Sequence, residues 1–201
     1  LEAHSSWESN IFASAGGDGD ITSGFTAGVD YQRRAGLIGI NASMALASGQ
    51  FAKYSSENYL NPNLNIELNK NSGRTTGSLS LSGVRESRAD AASSVRTEAW
   101  NYNTGLKLKY PVIERYALSG SLGYTLRDYD DNSVLVDLTS YSASIDLYYV
   151  YTSERDLVAG YQLRQSESST GVVFMDHAFT AGITGKIFPK PNGAHSFSAQ
   201  R

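Results

Sequence analysis

The chain has 201 residues, 40% hydrophobic and 18% charged, with a formal net charge of −3 at neutral pH and a mean hydropathy of −0.32. That length suits one sizeable domain, and the acidic balance without a basic run argues against nucleic acid as a partner. Cysteine is absent, so disulfides, thiolate zinc sites and thiol redox chemistry are excluded, and no run of 18 apolar residues exists to form a membrane-spanning helix.

No charged-then-apolar leader opens the chain at Leu1, so an exported protein of this sequence has lost its leader or carries it elsewhere. The first candidate strand puts Trp7, Ser9 and Ile11 on one face. Residues 21 to 32 then set Ile21, Phe25, Ala27, Val29 and Tyr31 against Thr22, Gly24, Thr26, Gly28, Asp30 and Gln32. A period of two is the repeat of an extended strand and not of a helix. Residues 37 to 48 repeat it, with Ile38, Ile40, Ala42, Met44 and Leu46 opposite polar or small residues. In LNPNLNIELNK (60–70), four alternating Asn residues keep one face in water throughout. Pro62 fits poorly, because it lacks a ladder donor, and it is placed near a rim where pairing is ragged.

Residues 75 to 85 oppose Leu79 and Leu81 to serines. Further ribbons span 98–110, 115–128, 138–151, 156–166 and 176–187, and another begins near Ala194. Segments of ten or more alternating residues exceed the five or six usual in soluble domains and match a tilted strand crossing a bilayer. The connections alternate in size. RRAG (33–36), NKNSG (69–73), PVIER (111–115), TSER (152–155) and FPKPNG (188–193) are short. SAGGDGD (14–20), QFAKYSSE (50–57), ESRADAASSVRTE (86–98), DYDDNSVLV (128–136) and SESSTGVVFMD (166–176) are long. Short turns on one side and long loops on the other are the pattern of an outer-membrane barrel.

These features predict an all-β fold, an antiparallel up-and-down transmembrane β-barrel forming one domain over 1–201 with ten or eleven strands. A soluble β-sandwich, with its apolar face turned inward, is the alternative. Aromatic residues mark the ribbon ends and predict two interfacial girdles that include Tyr31, Trp100, Tyr102, Tyr110, Tyr116, Tyr124, Tyr141 and Tyr151, with Trp7, Tyr54, Tyr59 and Tyr129 also toward the long loops. The opposite face carries Asp30, Glu67, Lys107, Lys109, Arg127, Asp146, Arg164 and Lys186 among Asn, Ser and Thr, and is expected to line the lumen. Mixed signs predict weak ion selectivity. A wall of hydroxyls and amides suits sugars, or simply wets the interior.

The opening WESNIF (7–12) and up-down strands such as RYALSGSLGYTLRDY (115–129) resemble outer-membrane barrels of Gram-negative bacteria, of the porin type found beside exopolysaccharide-export genes. The resemblance spans most of the chain. It implies an outer-membrane location, a lipid bilayer and lipopolysaccharide as surroundings, sugars or export machinery as partners, and a pore or export role without catalytic residues. Such barrels close on a C-terminal strand with an aromatic end, whereas this chain ends HSFSAQR. With an odd strand count, that predicts an incomplete portion of a larger barrel, or a ten-stranded barrel with irregular termini.

No catalytic motif of the G-x-S-x-G or H-E-x-x-H kind occurs. Asp176–His177 and Asp128, Asp130 and Asp131 would support acid–base chemistry only if they converged. GGDGD (16–20) reads as a flexible loop, and DYDDN (128–132) lacks the Gly and Glu of a calcium loop. No enzyme, cofactor or metal is therefore expected. The remaining choice lies between a pore or polysaccharide-export barrel and a structural or surface-binding barrel with a plugged lumen.

Overall fold

The computed structural model describes residues 1–90, 95–130, 135–185 and 193–200, the last stretch by its backbone. Eleven strands follow the ribbons: β1 (Glu2–Glu8), β2 (Asp20–Ala35), β3 (Ile38–Phe51), β4 (Tyr59–Lys70), β5 (Thr76–Asp90) and β6 (Val95–Ile113). They continue as β7 (Tyr116–Tyr129), β8 (Leu138–Thr152), β9 (Arg155–Ser168), β10 (Val173–Gly185) and β11 (Gly193–Gln200). Each pairs antiparallel with the next, in sequence order from β1 to β11. Among the described residues β1 and β11 each have one neighbour, so the sheet is open.

Among the described residues the short connections are tight, and 188–192 lie outside them. Gly36 joins β2 to β3 at φ 62°, in the left-handed region that favours glycine. Two long connections are shorter than the sequence suggests, because the strands run into them: β5 and β6 extend to Asp90 and from Val95, and β9 and β10 approach to Ser168 and Val173. The outer side of the sheet therefore carries projecting hairpins as well as loops. The first strand also differs from expectation. It ends at Glu8, and Ile11 leaves the ribbon to become a fully buried side chain. Pro62 sits opposite Leu46, and pairing of β4 with β5 begins only at Asn63, so its missing N–H falls where β4 has β3 alone beside it.

The register aligns every ribbon by parity. One row across the sheet runs Arg33, Ile40, Leu68, Leu79, Leu106, Leu122, Ala143, Leu163, His177. A sandwich would bury such a row against a second layer. Here Leu64 is 47% exposed, Leu108 48%, Leu122 59% and Ile145 50%. Among the described residues no second layer covers the apolar face, as a sandwich would require.

Candidate functional site: a polar wall and its outer cap

On the opposite face, one row reads Gln32, Asn41, Glu67, Ser80, Gly105, Gly123, Ser142, Arg164, Asp176. Gly105 and Gly123 are direct partners, and the hydroxyls of Ser80 and Ser142 occupy the room their side chains would take. Ser121 and Ser144 hydroxyls bond at 2.8 Å, and Asn65 Nδ2 donates to Asn63 Oδ1 at 2.8 Å. Of the residues predicted to line a lumen, Asp30, Glu67, Lys107, Lys109, Arg127, Asp146 and Arg164 all occupy this polar face, and Lys186 lies outside the described residues. They are spread along the wall and form no single cluster. Arg127 pairs with Glu86 at 3.6 Å, and Lys109 Nζ stands 4.5 Å from the Tyr148 ring centre.

The eight predicted girdle residues occupy the apolar face, arranged in two slanted lines. The row of Tyr31 passes through Ala42, Ile66 and Leu81 to Thr104, whereas Tyr110 lies six residues further along that strand. Six residues are about 20 Å along a strand against about 19 Å across four strand spacings, a slant near 45°. Transmembrane barrel strands tilt by a similar angle. Tyr141 and Tyr151 bracket the same band on β8. Ten residues are about 34 Å of strand, or about 25 Å after projection at that tilt, the height of a barrel's apolar belt. Between the lines no Asp, Glu, Lys or Arg occupies an apolar-face position in the described strands. Charges gather just beyond: Arg85 with Glu98 and, at 3.2 Å, with Asp130, beside Trp100, which stacks on Tyr102. The slant also explains His177. It shares a row with mid-band Leu122 but stands at the band's outer edge, held by Tyr161 Oη at 2.7 Å from Nδ1.

Tyr54, Tyr59 and Tyr129 depart from the expected girdle and belong to the polar side. There, at the outer end, the buried side chains among the described residues gather: Ile11, Asp20, Thr22, Phe51, Thr97 and Ala99. Asn10 closes the turn after β1 by donating to Ser14 O at 2.7 Å and accepting from Ser14 N at 3.0 Å. Ile11 N donates to Asp18 O, and Ile11 O accepts from Arg96 Nη1 at 3.3 Å. The Arg96 guanidinium also lies 4.9 Å from the Phe51 ring centre and 5.8 Å from that of Tyr59, whose ring covers Gly49. Phe12 meets Tyr54 edge-on at 5.2 Å.

Asp20 is the hub of this cap and corrects the reading of GGDGD as merely flexible. Its carboxylate accepts from the backbone N–H of Ile21, Lys53 and Tyr54 at 2.7 to 3.0 Å. Burial raises its pKa, but the three N–H donors and the Lys53 charge together win, and the carboxyl is held below its ordinary value. Lys53 is held above its ordinary value, first by Tyr54 and then by Asp18 and Asp20. A usable sequence clue was available. Phe51 and Tyr59 break the polar parity of β3 and β4, and an aromatic residue on a water-facing row must find cover.

The residues weighed for acid–base chemistry do not converge. Asp176 faces Arg164 on the polar side while His177 bonds Tyr161 on the apolar side, and Asp130 belongs to the Arg85 cluster. Asp131 lies outside the described residues.

No family model matches the chain, and no curated protein matches it. Among solved structures it is similar to one titled "Outer-membrane expressed OmpT of Vibrio cholerae", at 8% identity and a TM-score of 0.53 over 86% of this chain and 75% of that one. The fold is that of an outer-membrane β-barrel.

Proposed function

We propose that the chain forms the wall of a bacterial outer-membrane barrel that passes small polar solutes, or assists polysaccharide export, along its hydroxyl- and amide-rich face. The observation that carries this reading is the sorting of the two faces. The charge-free apolar band suits lipid and lipopolysaccharide contact, and the opposite rows of Ser, Asn and Gln would otherwise have no solvent to meet. The resemblance to barrels beside exopolysaccharide-export genes points the same way for the cargo. Planar-bilayer recording tests it: stable step currents that a hydrophilic oligosaccharide reduces are expected, and a membrane-inserted protein that passes no current sinks the proposal.

One observation favours a second reading, a structural or surface-binding barrel with a closed lumen. The only dry cluster among the described residues sits on the polar side at the outer end, where it would stand in the mouth of a closed barrel. Currents absent from the native chain but gained by Ile11→Ala would select this reading.

A further inference from the structure

We propose that the short-turn end of the polar wall holds a binding hollow for an acidic saccharide, a hydroxylated ring bearing a carboxylate. The proposal rests on the pore or export reading for the cargo's class, while the hollow itself stands on geometry. It is an open hollow of about 450 Å³ beside the β2–β3 and β4–β5 turns. Arg33 and Arg34 both line it and supply its charge, Arg34 from the polar wall row and Arg33 from the opposite parity. The Nε of Arg34 donates to Gly36 O at 3.3 Å, which orients the guanidinium and leaves its terminal nitrogens without a carboxylate partner among the described residues. Gly39 stands between Arg34 and Asn69 in the register, and its missing side chain opens the floor.

Around that floor are the amides of Gln32, Asn41 and Asn69 and the hydroxyl of Ser72. No carboxylate lines it, so a cation finds no partner. A planar guanidinium fork matches a carboxylate bidentately, and flanking amides both donate to and accept from vicinal hydroxyls. Neither feature alone chooses a sugar acid, but together they do. A peptide carboxylate would use the fork and leave the amides idle, with Leu37 the lone apolar contact. The same row continues through Ser78 to Lys107. Four strand spacings separate Arg34 from Lys107, about 19 Å, so a chain of several sugars could reach both cations.

A neighbouring hollow on the same wall has the opposite character. It takes about 530 Å³ and presents Asp30 and Glu67 beside Ser43, Asn65 and Ser80. An anionic chain entering at the short turns is therefore held at Arg34 before it meets repelling carboxylates.

The test is calorimetric titration of the full chain folded in detergent, with a galacturonate oligomer, a neutral glucose oligomer of equal length, and inorganic phosphate. The acidic oligomer is expected to bind at least tenfold more tightly than the neutral one, Arg34→Gln to cut that difference severalfold, Arg34→Lys to keep more of it, and Arg33→Gln with Arg34→Gln to abolish it. Arg74→Gln, whose guanidinium packs on Tyr110 instead, should change nothing. Equal binding of both oligomers, phosphate binding as tight as the uronate, or an unchanged Arg34→Gln would overturn the proposal. Lack of bilayer current with this binding intact would reject the pore and leave the site standing.

Discussion

Asp30 on the polar face of β2 is exposed, while Thr22 and Asp20 on the same face of the same strand are 2% and 3% exposed. The wall below and the cap above thus use one ladder in two ways. In the wall, each side chain answers to solvent, and its neighbours are set by cross-strand register. In the cap, residues distant in sequence answer to one another: Ile11 to Arg96, Asp20 to Lys53 and Tyr54, Phe51 to Tyr59. Stability of the wall comes from backbone pairing and from lipid on one side. Stability of the cap comes from packing and from satisfied buried polar groups, as in a soluble core.

The largest effect expected from breaking this contrast is on the wall. Leu122→Arg puts a charge at the middle of the apolar band and should cost about 2–4 kcal/mol of folding free energy in lipid vesicles. Ser144→Arg, on the polar face of the adjacent strand, should fold nearly as the native chain does. Equal penalties in a denaturant titration would mean that the two faces do not meet different media. The cap comes next. Ile11→Ala removes a fully buried side chain and should cost about 2 kcal/mol or more locally. Cleavage of 9–19 by a soluble protease should speed up while the strands stay protected. If cleavage does not change, the cap is not held by its packing.

A third, smaller effect is set by pH. Asp20's folded pKa lies below its unfolded one, so its contribution to the cap is fully present above about pH 4 and is lost as pH falls through the depressed value. Trp7 reports on this, because its ring lies against Gly19, next to Asp20. In a Trp100→Phe background, Trp7 emission should shift on acidification below pH 4. Asp20→Asn should show the shifted emission already at neutral pH. An emission flat in pH for both proteins would remove Asp20 from its place as hub.

The sequence made the wall legible and the cap nearly opaque, for a physical reason. Parity repeats every two residues, so Leu64, Leu108 and Leu122 declare their face locally, and the alternation of 60–70 lies within β4, Tyr59–Lys70. The slant of the aromatic lines is also encoded there, but it appears only when register links Tyr31 to Thr104. Cap contacts have no period. Nothing near Ile11 marks it for burial, and its partner Arg96 is 85 residues away. Strand ends likewise hid inside segments read as loops, because ESRAD (86–90) lacks an apolar face yet pairs in full with β6. Asp176–His177 looked like a unit because the residues are adjacent. Adjacency in a strand is what separates them, placing one on each face.

The smallest expected effect concerns charge on the wall. On the polar face Asp30 and Glu67 stand close together on β2 and β4, with Arg34 nearer the short turns, Lys107, Lys109 and Arg127 stand on β6 and β7, and Asp146 and Arg164 follow on β8 and β9. The signs are thus mixed around the wall but locally grouped, and a small ion passing the Asp30–Glu67 patch or the Lys107–Lys109 patch feels mostly one sign. Exposed wall charges are screened within about 8 Å at physiological salt, so each patch acts only on ions close to it. Lys107→Gln with Lys109→Gln should therefore move the reversal potential toward cation preference, clearly at low salt and hardly at 1 M. Asp30→Asn with Glu67→Gln should move it the other way by a similar amount. A shift of the same sign from both pairs, or one indifferent to salt, would mean that the solute path does not run along this face.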